Sequence, residues 1–274
     1  MCNFMGYKVS RAHFIKLKEI EKEFGTLAAL EKARSGFIYS NWDVIVPTAG
    51  KKDWDVTSMH WEFIPNWVQN MEELERIRRG LDPKTGERKI DPKTGKPAPV
   101  IPWLNAKAEN LLTSNMWRDA ALNRRCLVIA SWFFEARHIF PIGKRTGQPL
   151  KTPVRYPYKI FLPGSEYFLM AGIWNPWTDR TSGEMLNTFA IVTTKANSIM
   201  EQIHNTKKRM PTILPQKLAE RWIFDDLSEK EILEIAGYQL PSSVMAYHSI
   251  PKDYLDTANI EEYKYEEVPD IVAA

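Results

Sequence analysis

The stretch Tyr158-Lys159-Ile160-Phe161-Leu162-Pro163-Gly164-Ser165-Glu166-Tyr167-Phe168-Leu169-Met170-Ala171-Gly172-Ile173-Trp174 decides how this chain folds. Its two apolar arms, 158–162 and 167–174, have the length and residue types of strands, and Pro163-Gly164 between them is a turn signal, so the pair predicts a β-hairpin. Further strands are predicted at 125–130 and 188–194. Residues 37–67 read as strands and turns, with Trp42, Trp54, Trp61 and Trp67 interleaved among polar positions. Helices flank them. Ser10 caps Phe14, Leu17, Ile20 and Phe24 at helical spacing, and Leu27, Leu30 and Ala33 suggest a second short helix. Asn70 caps a helix carrying Met71, Leu74 and Ile77 and stopped at Gly80, and another helix is predicted over 106–123. Helices also cover 215–225 and the run after Ser228, where Ser228 and Glu231 fit a capping box and Gly237 ends the turn. Strands and helices do not alternate, which argues against a parallel βαβ sheet. The expectation is an α+β fold: a single domain over 1–274 with a mainly antiparallel, barrel-like sheet flanked by helices.

Composition narrows the class. At 274 residues and 44% hydrophobic the chain can bury a sizeable core, and no apolar run is long enough for a membrane span. The start, Met1 to Lys8, lacks the apolar stretch of a secretory signal, and two distant cysteines argue against a disulfide scaffold. A reducing cytoplasm is expected, with association to the nucleoid if the partner is DNA. The net charge of +3 hides an asymmetry: residues 253–274 carry −6, leaving +9 on residues 1–252. A basic body with an acidic tail points weakly to a polyanionic partner. Between 81 and 100 the repeat Asp82-Pro83-Lys84-Thr85-Gly86 and Asp91-Pro92-Lys93-Thr94-Gly95 reads as two turns in an exposed insertion. The segment 143–155 holds Lys144, Arg145, Lys151 and Arg155 with no acid.

Several familiar sites are missing from the sequence: no phosphate loop, no dinucleotide fingerprint, no G-x-S-x-G elbow, no zinc-spaced cysteine pair. Nothing demands a metal or a nucleotide cofactor. What remains is Cys2. Removal of Met1 leaves an N-terminal cysteine whose α-amine, with a reference pKa of about 7.7–8.0, and thiol, near about 8.5, sit on neighbouring carbons. Such a pair can trap an aldehyde as an imine and then a five-membered thiazolidine, or attack an amide carbonyl as N-terminal nucleophile hydrolases do. Cys126, inside Cys126-Leu127-Val128-Ile129-Ala130, reads as a packed core thiol.

Further segments bear on that choice. Val46-Pro47-Thr48, Trp61-Glu62-Phe63-Ile64-Pro65-Asn66-Trp67, Asn105-Ala106-Lys107-Ala108-Glu109 and Arg125-Cys126-Leu127-Val128 follow Met1-Cys2 in order. Trp132-Phe133-Phe134-Glu135, Ala171-Gly172-Ile173-Trp174, Ile191-Val192-Thr193-Thr194-Lys195-Ala196-Asn197, Ile203-His204 and Arg209-Met210-Pro211 continue the series. In that order the chain resembles the SRAP family, the SOS response-associated peptidases or abasic-site-processing proteins. The resemblance implies a protein that binds single-stranded DNA at an abasic site and captures the ring-opened sugar on Cys2, a lyase-like chemistry with Met1 removal as a peptidase step. It implies an active set of Cys2, Asn105, Glu135 and His204, and DNA contacts from Pro47, Trp67, Lys107 and Arg209. His204 would protonate the ring oxygen, Glu135 would hold the α-amine and take its proton, and Asn105 would orient the sugar or the amine. No membrane partner and a monomeric state are expected. Asn105 also reads as the N-cap of the 106–123 helix, and Trp67 competes with a reading as a core anchor. The chain departs from the family at Asn3-Phe4, where Gly-Arg is usual, and in the four residues Asn205-Thr206-Lys207-Lys208 between His204 and Arg209. Two other readings stay open: a thiol peptidase or amidohydrolase built on Cys2, and a DNA-binding relative without chemistry.

Overall fold

The longest apolar strands close on one another. The computed structural model describes residues 2–6, 13–24, 34–100, 102–143, 145–256 and 260–272. Along the chain these form β1 (Phe4–Gly6), β2 (His13–Leu17), β3 (Ile20–Phe24), β4 (Arg34–Ser35), β5 (Asn41–Pro47), β6 (Trp54–Trp61) and α1 (Met71–Arg78). Then come β7 (Asn105–Lys107), α2 (Arg118–Asn123), β8 (Arg125–Ala130), β9 (Trp132–Ile139), β10 (Val154–Phe161), β11 (Phe168–Thr178) and β12 (Met185–Lys195). The last are α3 (Ser198–Ile203), β13 (Arg209–Pro211), β14 (Ile213–Leu214), α4 (Gln216–Phe224), α5 (Glu229–Ala236) and β15 (Ala246–Ser249). Strands β12, β6, β5, β8 and β11 pair in a ring, because β11 and β12 also pair with each other; β7, β13 and β14 add to it. All ring pairings are antiparallel except β6 with β12. The expected α+β fold with a barrel-like, mainly antiparallel sheet is what forms. A second sheet, β15-β10-β9-β1-β4, lies beside the barrel.

Large buried aromatics tie the layers together. Trp61 stacks on Phe189 across β6 and β12, ring centroids 6.3 Å apart, and its indole donates to the Leu104 carbonyl. Trp222 of α4 donates to both the Cys126 and Gly172 carbonyls at 3.1 Å, clamping that helix over β8 and β11. Gly172 faces Cys126 in register, and a Cβ there would lie 2.7 Å from the Cys126 sulfur, so only glycine allows the two strands this approach. Arg125 is buried, and its guanidinium donates to the carbonyls of Ala121, Leu122, Trp222 and Asp225, joining two helix C-termini to β8. Two of the predicted caps form: the Asn70 side chain accepts from Glu73, and Ser228 with Glu231 makes the reciprocal capping box, while Ser10 lies outside the described residues.

Three elements differ from expectation. Residues 13–24 are a hairpin, not a helix: Ile15 and Leu17 are buried while Lys16 between them is exposed, so period two wins over the helical spacing. Lys18 and Glu19 turn the chain with φ of 48° and 62°, the left-handed pair a two-residue hairpin loop requires. Leu27, Leu30 and Ala33 lie outside the described residues. The 106–123 helix reduces to α2 alone, because residues 105–107 pair with β12 and the polar Thr113-Ser114-Asn115 stretch turns. Asn105 is therefore a strand residue and not a helix cap. The deciding stretch turns at Gly164 as read, but its arms do not pair with each other. β10 joins β9 and β15, β11 joins β8, β12 and β14, and the link 162–167 carries the chain from one sheet to the other.

Candidate active site

The site forms where β1 enters the second sheet. Phe4 faces Phe134 and Gly6 faces Trp132, and a Cβ on Gly6 would lie 2.2 Å from the Trp132 indole nitrogen. Glycine thus lets β1 lie against β9 with Cys2 and Asn3 at the level of Glu135. The Asn3 carbonyl accepts from Gly36, whose turn is capped by the Ser35 hydroxyl. Cys2 is fully buried. Burial pushes its thiol above the ordinary range, and the Glu135 carboxylate pushes it further the same way.

His204 ends α3, which Asn197 caps by accepting from Met200. Its Nδ1 lies 2.9 Å from the Arg209 carbonyl, which only accepts, so Nδ1 carries the proton and Nε2 faces Glu135 at 3.8 Å. Burial holds His204 below the usual histidine range, with Glu135 acting in the opposite sense. The extra residues after His204 loop outward. The Lys208 amide returns to the His204 carbonyl at 2.8 Å, and Thr206, Lys207 and Lys208 are exposed. Asn205 then bridges to β9, accepting from the His138 amide and donating to its carbonyl. The loop thereby fixes α3 to the strand that carries Glu135. Asn105, on β7, donates its amide to Asn3 Oδ1 at 2.7 Å, and its own Oδ1 is buried with no hydrogen-bond partner among the described residues. Tyr254 closes another side: its ring packs on Phe134 and Phe4, and burial with the Glu135 charge pushes its phenol up to about 12.

Cys2, Asn105, Glu135 and His204 are thus brought together from four separate segments. Trp67 and Lys107 stand near them, both exposed; Trp67 is 53% exposed and sits edge-on to Trp103, two residues before Asn105. Pro47 does not join the group. Asn41 at the other end of β5 pairs with His60, next to the Trp61–Phe189 level where β7 begins, whereas Pro47 pairs with Trp54, about 20 Å further along the strand. Arg209 is buried, and its Nη groups bond Glu109 and Thr193, which leaves it bracing β13 against β12 and the turn that follows β7. Tyr254, Phe37 and Ile38 were not singled out from sequence, and Asn3 and Asn205 stood out only as departures from the family pattern. Phe37 and Ile38 project from the turn bonded to Asn3, 47% and 67% exposed, and Phe37 packs on Phe4. The apolar pair Phe37-Ile38 directly after Gly36 was the available signal. Among the described residues no cluster of three or more His, Cys, Asp or Glu is placed to hold a metal ion.

The family model for the SOS response associated peptidase, SRAP, matches residues 11–254. The chain belongs to the SRAP family. Cys2 precedes the matched span, so its place beside the other three side chains comes from the fold. The chain is 30% identical over 176 residues to the abasic site processing protein YoqW of Bacillus subtilis, covering 64% of this chain and 60% of that relative. It is 24% identical over 212 residues to the abasic site processing protein HMCES of Gallus gallus, covering 70% and 51%. The chain therefore spans about three fifths or less of these relatives' length. A crystal structure of a Bacteroides thetaiotaomicron protein shares 27% identity and a TM-score of 0.65 over 84% of this SRAP chain and 82% of that one. A Bordetella bronchiseptica protein at 15% identity and a TM-score of 0.57 shares the fold.

Proposed function

We propose that this SRAP protein processes abasic sites in single-stranded DNA, and that Cys2, freed by removal of Met1, joins the lesion as a thiazolidine. The convergence of Cys2, Glu135, His204 and Asn105 around one buried thiol is the observation that supports this most. The α-amine adds to the C1′ aldehyde of the opened sugar and loses one water to give an imine. The sulfur then adds to the imine carbon while its proton passes to the nitrogen, so one water is the only by-product. Glu135 suits the proton relay, because it acts on the charge of the thiol and of His204 alike. His204 rests neutral and its Nε2 faces Glu135, so a proton received from the amine through Glu135 can go on to the sugar ring oxygen. The buried Asn105 Oδ1 is an acceptor for a sugar hydroxyl or the ammonium hydrogens. Phe37, Ile38 and Trp67 offer apolar faces for the bases beside the gap, and Lys107 a charge for the backbone. The protein acts as a single-domain monomer on DNA, in the cytoplasm and at the nucleoid.

Intact mass spectrometry after incubation with an abasic oligonucleotide tests the proposal. The expected product is the mass of the Met1-free chain plus the oligonucleotide minus one water. Met1-free protein that stays unmodified would refute covalent capture, and Cys2-dependent turnover of peptides instead would favour the thiol hydrolase.

A further inference from the structure

The insertion at 81–100 is unexplained by the chemistry above. Its two repeats fold into the same turn. Asp82 Oδ1 accepts from the Lys84 and Thr85 amides, Asp91 Oδ1 accepts from the Lys93 amide, and Gly86 and Gly95 donate back to the Asp82 and Asp91 carbonyls. Both glycines have positive φ, 74° and 65°. Each aspartate is therefore folded into its own turn, and these amides hold the Asp82 carboxyl below its usual range. The lysines and arginines of the arm remain outside: Lys84, Arg88, Lys89, Lys93 and Lys96 are all exposed, against Glu87 as the one exposed acid.

The root of the arm lies on the same end of the barrel as the candidate site. It leaves α1 at Gly80, close to Arg78, whose guanidinium lies 3.8 Å over the Tyr39 ring just after Phe37 and Ile38. It is held to α1 by Arg76, which donates to the Pro83 carbonyl, and it returns to Trp103, the partner of exposed Trp67. A third turn of the same plan, at 179–183, binds beside Trp67: the Arg180 amide donates to the Gln69 carbonyl, and the Gln69 side chain donates to that of Trp67. Its aspartate is again turned inward, accepting from Met71, Thr181 and Ser182, while Arg180 is exposed.

From this continuity we infer that the arm, with Arg180, is a second contact for the phosphate backbone of the same DNA strand, extending the path past Trp67 away from the lesion. The inference rests on the proposed function for its partner, and commits to single-stranded DNA. A phosphate-tracking surface needs exposed cations on a scaffold without competing carboxylates. The inward-turned aspartates meet that need.

The test uses the full chain with Lys84, Lys89, Lys93 and Lys96 changed together to Gln, all four being exposed. Reversible binding is measured on a Cys2→Ala background, with oligonucleotides carrying a stable abasic analogue and tails lengthened from about 4 to about 16 nucleotides on either side. Wild-type affinity is expected to rise with tail length on one side. The variant should lose that gain, and its salt dependence should be shallower by about 0.7 in log–log slope for each phosphate contact removed. An unchanged slope and length dependence would overturn the arm, as would an equal loss on the shortest oligonucleotide. Adduct yield on the shortest abasic oligonucleotide, compared with Cys2 intact, separates the two readings. Equal adduct with a lost length effect supports both. A lost length effect without adduct in either protein keeps the arm and removes the capture chemistry.

Discussion

The two cysteines of this SRAP chain share every coarse property. Both are free, both are fully buried, and burial pushes both thiols above their ordinary range. Their neighbours separate them. Cys126 lies buried on β8 with its sulfur 2.7 Å from where a Gly172 Cβ would go, and no charged group adds to its shift. Cys2 sits at the mouth of the second sheet, where Glu135 acts on it and His204 lies 3.8 Å from that carboxylate. Burial alone therefore does not mark a reactive thiol. What distinguishes Cys2 is the set of titratable groups around it, which Cys126 lacks. The largest expected effect follows directly. Cys2→Ala should abolish the abasic-site adduct, while Cys126→Ala should leave adduct yield unchanged and lower the urea midpoint, for a cost of about 1 kcal/mol from the small cavity. Adduct retained without Cys2, or lost without Cys126, would collapse the distinction.

Next in size is the charge that distinguishes the pair. Glu135→Gln keeps the shape and removes the carboxylate, so adduct formation should slow by about 100-fold, the usual scale for a lost general base. The same change removes one of the two causes that raise the Cys2 thiol, and the phenol of Tyr254 should come down with it. A stopped-time adduct assay and a tyrosine absorbance titration check both halves. The Cys126 thiol should not respond, since Glu135 does not enter its environment.

Much of this contrast was legible in sequence. The helices α1, α4 and α5 and the strands around Cys126 follow from local patterns, because caps and apolar runs act over a few residues, whereas Cys2, Asn105, Glu135 and His204 were indicated as a set only by the family resemblance. What failed was pairing between distant segments. The turn at Gly164 was correct, yet which sheet each arm joins depends on β8, β9 and β12, and turn chemistry carries no such information. Residues 13–24 fit the helical period and a strand alternation equally, and burial of Ile15 and Leu17 decided for the strand. Pro47 was indicated by the resemblance of Val46-Pro47-Thr48 to the family, while its position along β5 is set by the register with β6. Asn3 and Asn205 stood out in sequence only as departures from the family pattern, because each works through a hydrogen bond to a residue far away in the chain.

A packing test sharpens the other side of the comparison. Gly172→Ala places a methyl 2.7 Å from the Cys126 sulfur and 3.0 Å from Val128 Cγ2, so about 1–3 kcal/mol of stability should be lost. Combining it with Cys126→Ala removes the nearer obstacle, and the double variant should be more stable than the sum of the two single losses by about 1 kcal/mol. Denaturant unfolding of the four proteins measures this. Additivity would show that the sulfur is not what Gly172 accommodates.

The smallest expected effect is a pH asymmetry. Burial holds His204, His138 and His248 below the ordinary histidine value of about 6.5, so the folded chain binds fewer protons than the unfolded chain just under that pH. Stability from these groups is present above about pH 6.5 and lost as pH falls below it. The thiols work the other way. Both are raised, so the folded chain keeps its protons longer, and stability falls as pH climbs past about 8.5. The alkaline loss is shared by both cysteines, but His204 and His138 lie around the Cys2 site. His204→Asn retains a donor for the Arg209 carbonyl and should flatten the acid side of the urea-midpoint profile without touching the alkaline side. Cys126→Ala should do the reverse. If His204→Asn also flattened the alkaline side, His204 would be coupled to a thiol; if Cys126→Ala flattened the acid side, Cys126 would be coupled to the histidines, and the contrast between a packed cysteine and one among titratable groups would fail.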